Sequence, residues 1–203
     1  MQTFALDLGS YVPMGFERYA RVFHPVLPDR RTWASVAAEY GTVAHPDMQL
    51  HSLMRSGDRD PAGLDSGSLP VHEATVLVEH LRVATTSQER CWFAVWEGWG
   101  TLDHASVEVR LRLPNRAYLL AGAPIDRAAA SFLGRNVYHQ SASLWWPDDR
   151  AWIVATEIDF AWTYVGGTAD TIDGLVSDPR IEAMHVTAHH CGSHDADAVN
   201  NPR

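Results

Sequence analysis

The stretch "SVEVRLRLPNRAYLLAGAP", residues 106–124, decides the fold. Its first half alternates, and the apolar residues, which face one way, are Val107, Val109, Leu111 and Leu113. A repeat of two residues predicts a β-strand with one buried face. The second half, 116–124, is a further apolar run, and the Pro-Asn pair between the halves favours a turn. We therefore predict two antiparallel strands, and with them an antiparallel sheet.

The remaining periodic segments extend this sheet and cover it with helices. Further strands are predicted at 19–26, 91–100, 150–159, 160–167 and 181–187. Helices are predicted at 30–41, 70–84, 125–134 and 168–179. The helices fall between runs of strands without regular β-α alternation, which is typical of an α+β fold. We expect a single α+β domain over residues 1–187, a mainly antiparallel sheet with three to four short helices packed on it.

The C-terminal segment "AHHCGSHDADAVNNPR", residues 188–203, has no apolar periodicity and is rich in His, Asp and Asn. Such a composition predicts a disordered tail. The tail contains His189, His190, Cys191 and His194, which are residue types that bind zinc or nickel. Zinc sites usually draw ligands from two separated segments, so we expect no metal site and no cofactor.

Composition and charge limit the partners of the chain. Its 203 residues include no lysine, which excludes chemistry that depends on a lysine side chain. A net charge of −9 disfavours binding to phosphate backbones, so nucleic acid is not an expected partner. No apolar run approaches the roughly 20 residues that span a bilayer, so no membrane is expected either. The N-terminus does not resemble a secretory signal, and we expect a cytoplasmic protein.

The most unusual stretch is "SLWWPDDRAWIVATEIDFAWTYVGG", residues 143–167, which holds four of the eight tryptophans. On an extended strand Glu157 and Asp159 share one face near its end. Such a pair of carboxylates can share a proton, coordinate a hard cation or clamp a basic group. The alternative is structural, with the carboxylates paired to arginines such as Arg150 or Arg116.

Two tryptophans precede this strand. Pro147 favours an extended Trp146, and adjacent tryptophans on an extended segment cannot both point inward. Trp145 or Trp146 is therefore expected to be at least half exposed, either on a recognition surface or as a lid over the sheet. The candidate partner-binding residues are Glu97, Trp99, Trp145, Trp146, Asp148, Asp149, Glu157, Asp159 and Trp162.

Five segments of the chain, between about Gly15 and His185, resemble a family of uncharacterised proteins from high-GC Gram-positive bacteria. They are "YARVFHP", "CWFAVWEGWG", "LPNRAYLLAGAP", "WWPDDRAW" and "ATEIDFAWTYVGG". The resemblance implies a single cytoplasmic domain and brings no known activity or catalytic residues. A more distant likeness to the immunity-protein superfamily that includes SMI1/KNR4-like domains rests on the α+β order and on the acidic, aromatic surface.

Two functions follow as hypotheses. The first is a non-catalytic binding module that presents acids and tryptophans to a protein or small-molecule partner. An immunity-type role against a basic toxin fits the negative charge through electrostatic steering. The second is an enzyme in which Glu157 or Asp159 acts as general base in a tryptophan-lined pocket, with His24 or His139 as its partner.

Overall fold

The structure, a computed structural model, describes residues 8, 12–54, 66–99, 109–113, 116–132 and 138–201. The strands within these ranges are β1 (Arg18–Phe23), β2 (Cys91–Trp96), β3 (Arg110–Leu113), β4 (Arg116–Ala123), β5 (Leu144–Pro147), β6 (Ile153–Ala155), β7 (Trp162–Gly167) and β8 (Ala183–Val186). The α-helices there are α1 (Trp33–Tyr40), α2 (Leu50–Leu53), α3 (Val71–Val83) and α4 (Ala169–Val176). A short 3-10 helix covers Ile125–Ala129.

The eight described strands form one sheet in the order β3-β4-β2-β5-β6-β7-β1-β8. Every neighbouring pair is antiparallel, so the predicted α+β fold with an antiparallel sheet is confirmed. The predicted hairpin is present as β3 and β4, with Leu113 opposite Arg116. The beginning of the predicted first strand, 106–108, and the Pro-Asn link at 114–115 lie outside the described residues.

The sheet buries apolar side chains on both faces. One face, here called the α3 face, packs against α3, α4 and the 3-10 helix through residues such as Val22, Phe93 and Val165. The other face, here called the α1 face, packs in part against α1 and α2 through residues such as Phe23 and Tyr164. Both sets of side chains alternate along the same strands, because successive residues of a strand point to opposite faces.

The local sequence determines where helix α1, which covers part of the α1 face, begins and ends. The hydroxyl of Thr32 accepts a hydrogen bond from the backbone N–H of Ser35 at 3.1 Å, which caps the first turn. Gly41 adopts φ 71° and ends the helix in the left-handed conformation, as the sequence predicts. Trp33, the first residue of the helix, is buried, and its indole N–H donates to the carbonyl of His24 at 2.9 Å.

The prediction of a disordered tail is wrong for residues 188–201. The backbone N–H of Leu8 donates to the carbonyl of His190 at 2.8 Å, and Asp197 is buried. A carboxylate oxygen of Asp197 lies 2.9 Å from Nε2 of His45, and Asn200 bonds to the backbone of Val43. The segment lacks apolar periodicity because polar side chains hold it in place. Residues 202 and 203 lie outside the described part of the chain.

Residues 42–69 lie between the two predicted helices at 30–41 and 70–84, and the structure adds the one-turn helix α2 within this region. Residues 55–65 of this region are not among those described. In the described part of the chain, no helix combines the length and the apolar character that crossing a membrane requires.

Candidate functional site

An apolar groove of about 500 Å³ opens on the α1 face of the sheet. Its lining residues are Pro13, Met14, Gly15, Phe16, Leu111, Leu113, Leu144, Trp146, Arg150, Trp152 and Ile153. Among them Met14 and Leu113 are exposed, by 53% and 38% respectively. Helices α1 and α2 therefore leave part of this face uncovered, and apolar side chains meet solvent there.

The groove extends across several strands of the sheet. Strand β3 is separated from β5 by two strands, yet Leu111 and Leu113 line the same groove as Trp146. The opposite wall is the segment 13–16. Its Phe16 ring lies over Gly166, where an added Cβ would come within 2.8 Å of the ring, so the glycine admits this close approach.

Strand alternation places Trp146 in the groove. Its neighbour Trp145 points to the α3 face, is 1% exposed and packs against Trp152, with ring centroids 5.1 Å apart. Trp146 points to the α1 face, lies opposite Trp92 of β2 and is partly buried. The prediction that adjacent tryptophans face opposite ways is confirmed. The expectation that one of them is at least half exposed is wrong, because the flanking strands and walls cover Trp146.

Among the described residues that line the groove, Arg150 is the only charged one. It follows β5 at the end of a turn in which its backbone N–H donates to the carbonyl of Pro147 at 2.9 Å. Its φ of 57° is in the left-handed region, which glycine and asparagine adopt more readily than arginine. Arg150 is exposed and has no ion pair within the described part of the chain.

The two acids next to Arg150 in the sequence are bonded to other residues. Asp148 pairs with Arg90 at 2.5 Å and accepts a hydrogen bond from the indole N–H of Trp92 at 3.1 Å. Asp149 accepts hydrogen bonds from the hydroxyls of Thr85 and Thr86. Burial opposes ionisation of Asp149, but these bonds and those from backbone N–H groups outweigh it and lower its pKa. Neither acid is available to neutralise Arg150.

The predicted carboxylate pair does not form an open site. Glu157 is buried and bonded to Arg116, with Nη2 to Oε1 at 2.7 Å, so the structural alternative holds for this residue. Asp159 is exposed in the connection between β6 and β7. Because Glu157 is occupied by a guanidinium, it is not a free partner for a ligand.

The other predicted residues lie apart from one another. Trp162 is 6% exposed, and its ring lies beneath the Arg21 guanidinium, with 3.9 Å from Cζ to the ring centroid. Glu97 lies 3.6 Å from Arg110, and Trp99 is partly buried. The prediction that Trp145 and Trp162 lie on a recognition surface is therefore wrong, since both are enclosed on opposite faces of the sheet.

The catalytic alternative receives no support from the partners of these groups. Nε2 of His24 lies 2.9 Å from the hydroxyl of Thr163 in the interior, and that hydroxyl in turn lies 2.7 Å from the hydroxyl of Thr156. Glu157 has Arg116 as its partner. A general base needs a carboxylate free to accept a proton from a substrate, and Glu157 is not free.

A polar cluster around Arg21 is buried inside the molecule beneath the C-terminal tail. The guanidinium of Arg21 is fully buried and donates from Nη1 to the carbonyls of Pro46 and Met48 at 2.7 and 2.9 Å. Burial lowers the pKa of Arg21 to about 10 and raises that of Tyr164 to about 12. Sequence reasoning missed this cluster, because alternation along β1 indicates only that Arg21 shares a face with Tyr19 and Phe23.

The histidines of the tail are distributed among separate partners. Nδ1 of His190 lies 2.9 Å from Asp47, and the ring of His194 stacks on that of His51 at 3.7 Å. Cys191 is exposed and carries a free thiol. No group of three or more potential metal ligands occurs among the residues that the structure describes.

Of the residues that line the groove, the sequence pointed to Trp146 alone as a binding residue. For Arg150 the sequence predicts only a role as a partner for carboxylates. The available signal was the turn "PDDR", in which the arginine follows two acids. In the structure this arginine adopts the left-handed backbone conformation. The walls at 13–16 and 111–113 carry no local signal, because they are far apart in the sequence and meet only in the folded chain.

Comparison with known proteins adds no relative to this description. No protein family, no curated protein and no solved structure matches the chain. The resemblance to a family of high-GC Gram-positive bacteria therefore stays an expectation. The function has to be inferred from the groove and from the charges around it.

Proposed function

We propose that the chain is a non-catalytic binding module whose ligand is a small, mainly apolar molecule held in the groove beside Trp146. The observation that carries this proposal is the open groove of about 500 Å³. Small-molecule sites are typically clefts of about 300–1,000 Å³ lined by apolar and aromatic side chains with few polar groups. The groove agrees with this description in size and in lining.

The exposed apolar side chains favour binding of a ligand in the groove. Met14 and Leu113 are exposed at its rim, and Phe16 and Trp146 are partly buried within it. Each apolar surface that a ligand removes from water contributes to affinity, at roughly 25 cal/mol per Å². A contiguous apolar surface on a folded domain commonly marks an interaction site.

A small apolar ligand fits these observations better than a basic partner. The acids expected to attract a basic toxin are engaged within the chain, Asp148 by Arg90 and Glu157 by Arg116. The net charge of −9 supports the further proposal that nucleic acid is not a partner. Cys91 and Cys191 are both free thiols, which supports a reducing compartment, and we propose the cytoplasm.

The test uses N-phenyl-1-naphthylamine, an uncharged probe whose fluorescence rises in apolar sites. We expect saturable binding to the full chain and about tenfold weaker binding to Trp146→Ala, because the loss of a large aromatic contact is typically worth more than 1 kcal/mol. Trp92→Ala is the matched control. It removes a tryptophan from the neighbouring strand on the same face but outside the lining.

Met14→Asp is the second variant, chosen because its exposed side chain can change without disturbing the core. A carboxylate at this rim position should weaken binding of the uncharged probe while leaving the unfolding midpoint in place. Absence of saturable binding, or equal losses in Trp92→Ala and Trp146→Ala, would contradict the proposal.

A further inference from the structure

Arg150 is an unusual residue to find at an apolar groove. Among the described residues it is the only charged side chain of the lining, and no described carboxylate lies in ion-pair distance of it. The neighbouring Asp148 and Asp149 are directed to Arg90 and to the two threonines of residues 85 and 86. Among the described residues, therefore, no counterion accompanies this positive charge beside the apolar surface.

The backbone gives no reason for arginine at this position. With φ at 57° the residue lies in the left-handed region, where asparagine or glycine would be less strained. The turn itself is closed by the backbone bond from Arg150 to Pro147, which any residue other than proline can make. The guanidinium is thus not required by the turn that carries it.

On the basis of the function proposed above, we propose that the ligand carries one carboxylate attached to its apolar body. The carboxylate pairs with the guanidinium of Arg150, and the apolar body lies along Trp146 and the wall at Leu111 and Leu113. A planar guanidinium binds a carboxylate through two parallel hydrogen bonds, and the adjoining apolar surface reduces competition from water. The ligand class is therefore a small amphipathic acid.

The experiment compares decanoate with decan-1-ol as competitors that displace bound N-phenyl-1-naphthylamine at pH 8. The two competitors have the same chain length, and only decanoate carries a carboxylate. We expect Arg150→Asn to weaken displacement by decanoate about tenfold more than displacement by decan-1-ol, as for loss of a hydrogen-bonded charge. Asparagine tolerates the left-handed conformation, so this variant should remain folded.

Arg112→Asn is the matched control, because it removes the same charge from an exposed position on β3 outside the lining. Equal weakening of decanoate in both variants would indicate a general effect of net charge and overturn the inference. Unchanged displacement by decanoate in Arg150→Asn would overturn it as well, while the apolar groove would stand. If the uncharged probe fails to bind at all, the proposed function fails, and the inference fails with it.

Discussion

Arg116 at the start of β4 and Glu157 after β6 form a partly buried ion pair, with 2.7 Å between Nη2 and Oε1. The side chain of Glu157 is 6% exposed and that of Arg116 is 24% exposed. The hydrogen bond to Glu157 is the largest cause of the raised pKa of Arg116. The carboxylate that looked available for a partner in the sequence is therefore part of the architecture.

Removing one member of this pair should destabilise the fold. For Arg116→Met we expect the free energy of unfolding to fall by roughly 1–3 kcal/mol, since Glu157 would remain buried without its partner. The double variant Arg116→Met/Glu157→Gln should lose less than the sum of the single variants. Urea denaturation measures each value. Asp159→Asn, at an exposed position, is the control and should stay within about 0.5 kcal/mol of the parent chain.

The two adjacent tryptophans should differ in their contribution to stability. Trp145→Ala should cost about 3–5 kcal/mol, because it empties a fully enclosed site between Phe93 and Trp152. Trp146→Ala removes a side chain that already meets solvent and should cost clearly less. Denaturant midpoints of the two variants test this, and equal losses would mean that both rings are enclosed.

Two glycines with positive φ allow the effect of backbone conformation on stability to be measured separately from the effect of steric crowding. Gly41→Ala, at φ 71° with open space around the new Cβ, should cost about 1–2 kcal/mol, the usual penalty of the left-handed region. Gly67→Ala has a similar φ of 74°, but its Cβ would lie 2.3 Å from the carbonyl oxygen of Ile158. We expect a clearly larger loss of unfolding free energy there. Similar losses in thermal melts of the two variants would show that the 67–158 contact can relax.

Stability should depend on pH through His190. Burial, followed by the charge of Arg21, lowers the pKa of this histidine well below its usual value, despite the bond to Asp47. The unfolded chain therefore binds a proton that the folded chain excludes. Stability is complete above about pH 6.5 and falls by up to about 1.4 kcal/mol per pH unit as the pH is lowered towards the folded pKa.

The measurement is the urea unfolding free energy between pH 7.5 and pH 5, with His190→Gln as the control. This variant removes the titrating ring and should flatten that part of the curve. A parent chain whose stability is constant over this range, or a slope that persists in the variant, would show that His190 is protonated alike in both states.

Local patterns predicted much of the fold. The alternation in 106–124 indicated the β3–β4 hairpin, and the helical spacing within 30–41 that ends at Gly41 indicated α1. The tail from residue 188 was predicted wrongly, because its order depends on bonds from Asp197 and Asn200 to residues 43–49. The composition of a segment indicates whether it can form an apolar core of its own. It does not indicate polar bonds to a distant segment.

By itself, the sequence determined that this chain forms antiparallel strands and that Trp145 and Trp146 point to opposite faces. Both follow from backbone geometry that repeats every two residues. The tertiary structure alone decided that Trp145 is enclosed, that Glu157 pairs with Arg116 and that Arg150 lies at a groove with no ion pair to any described residue. These outcomes depend on strand order and tertiary packing, which bring together side chains that no local pattern connects.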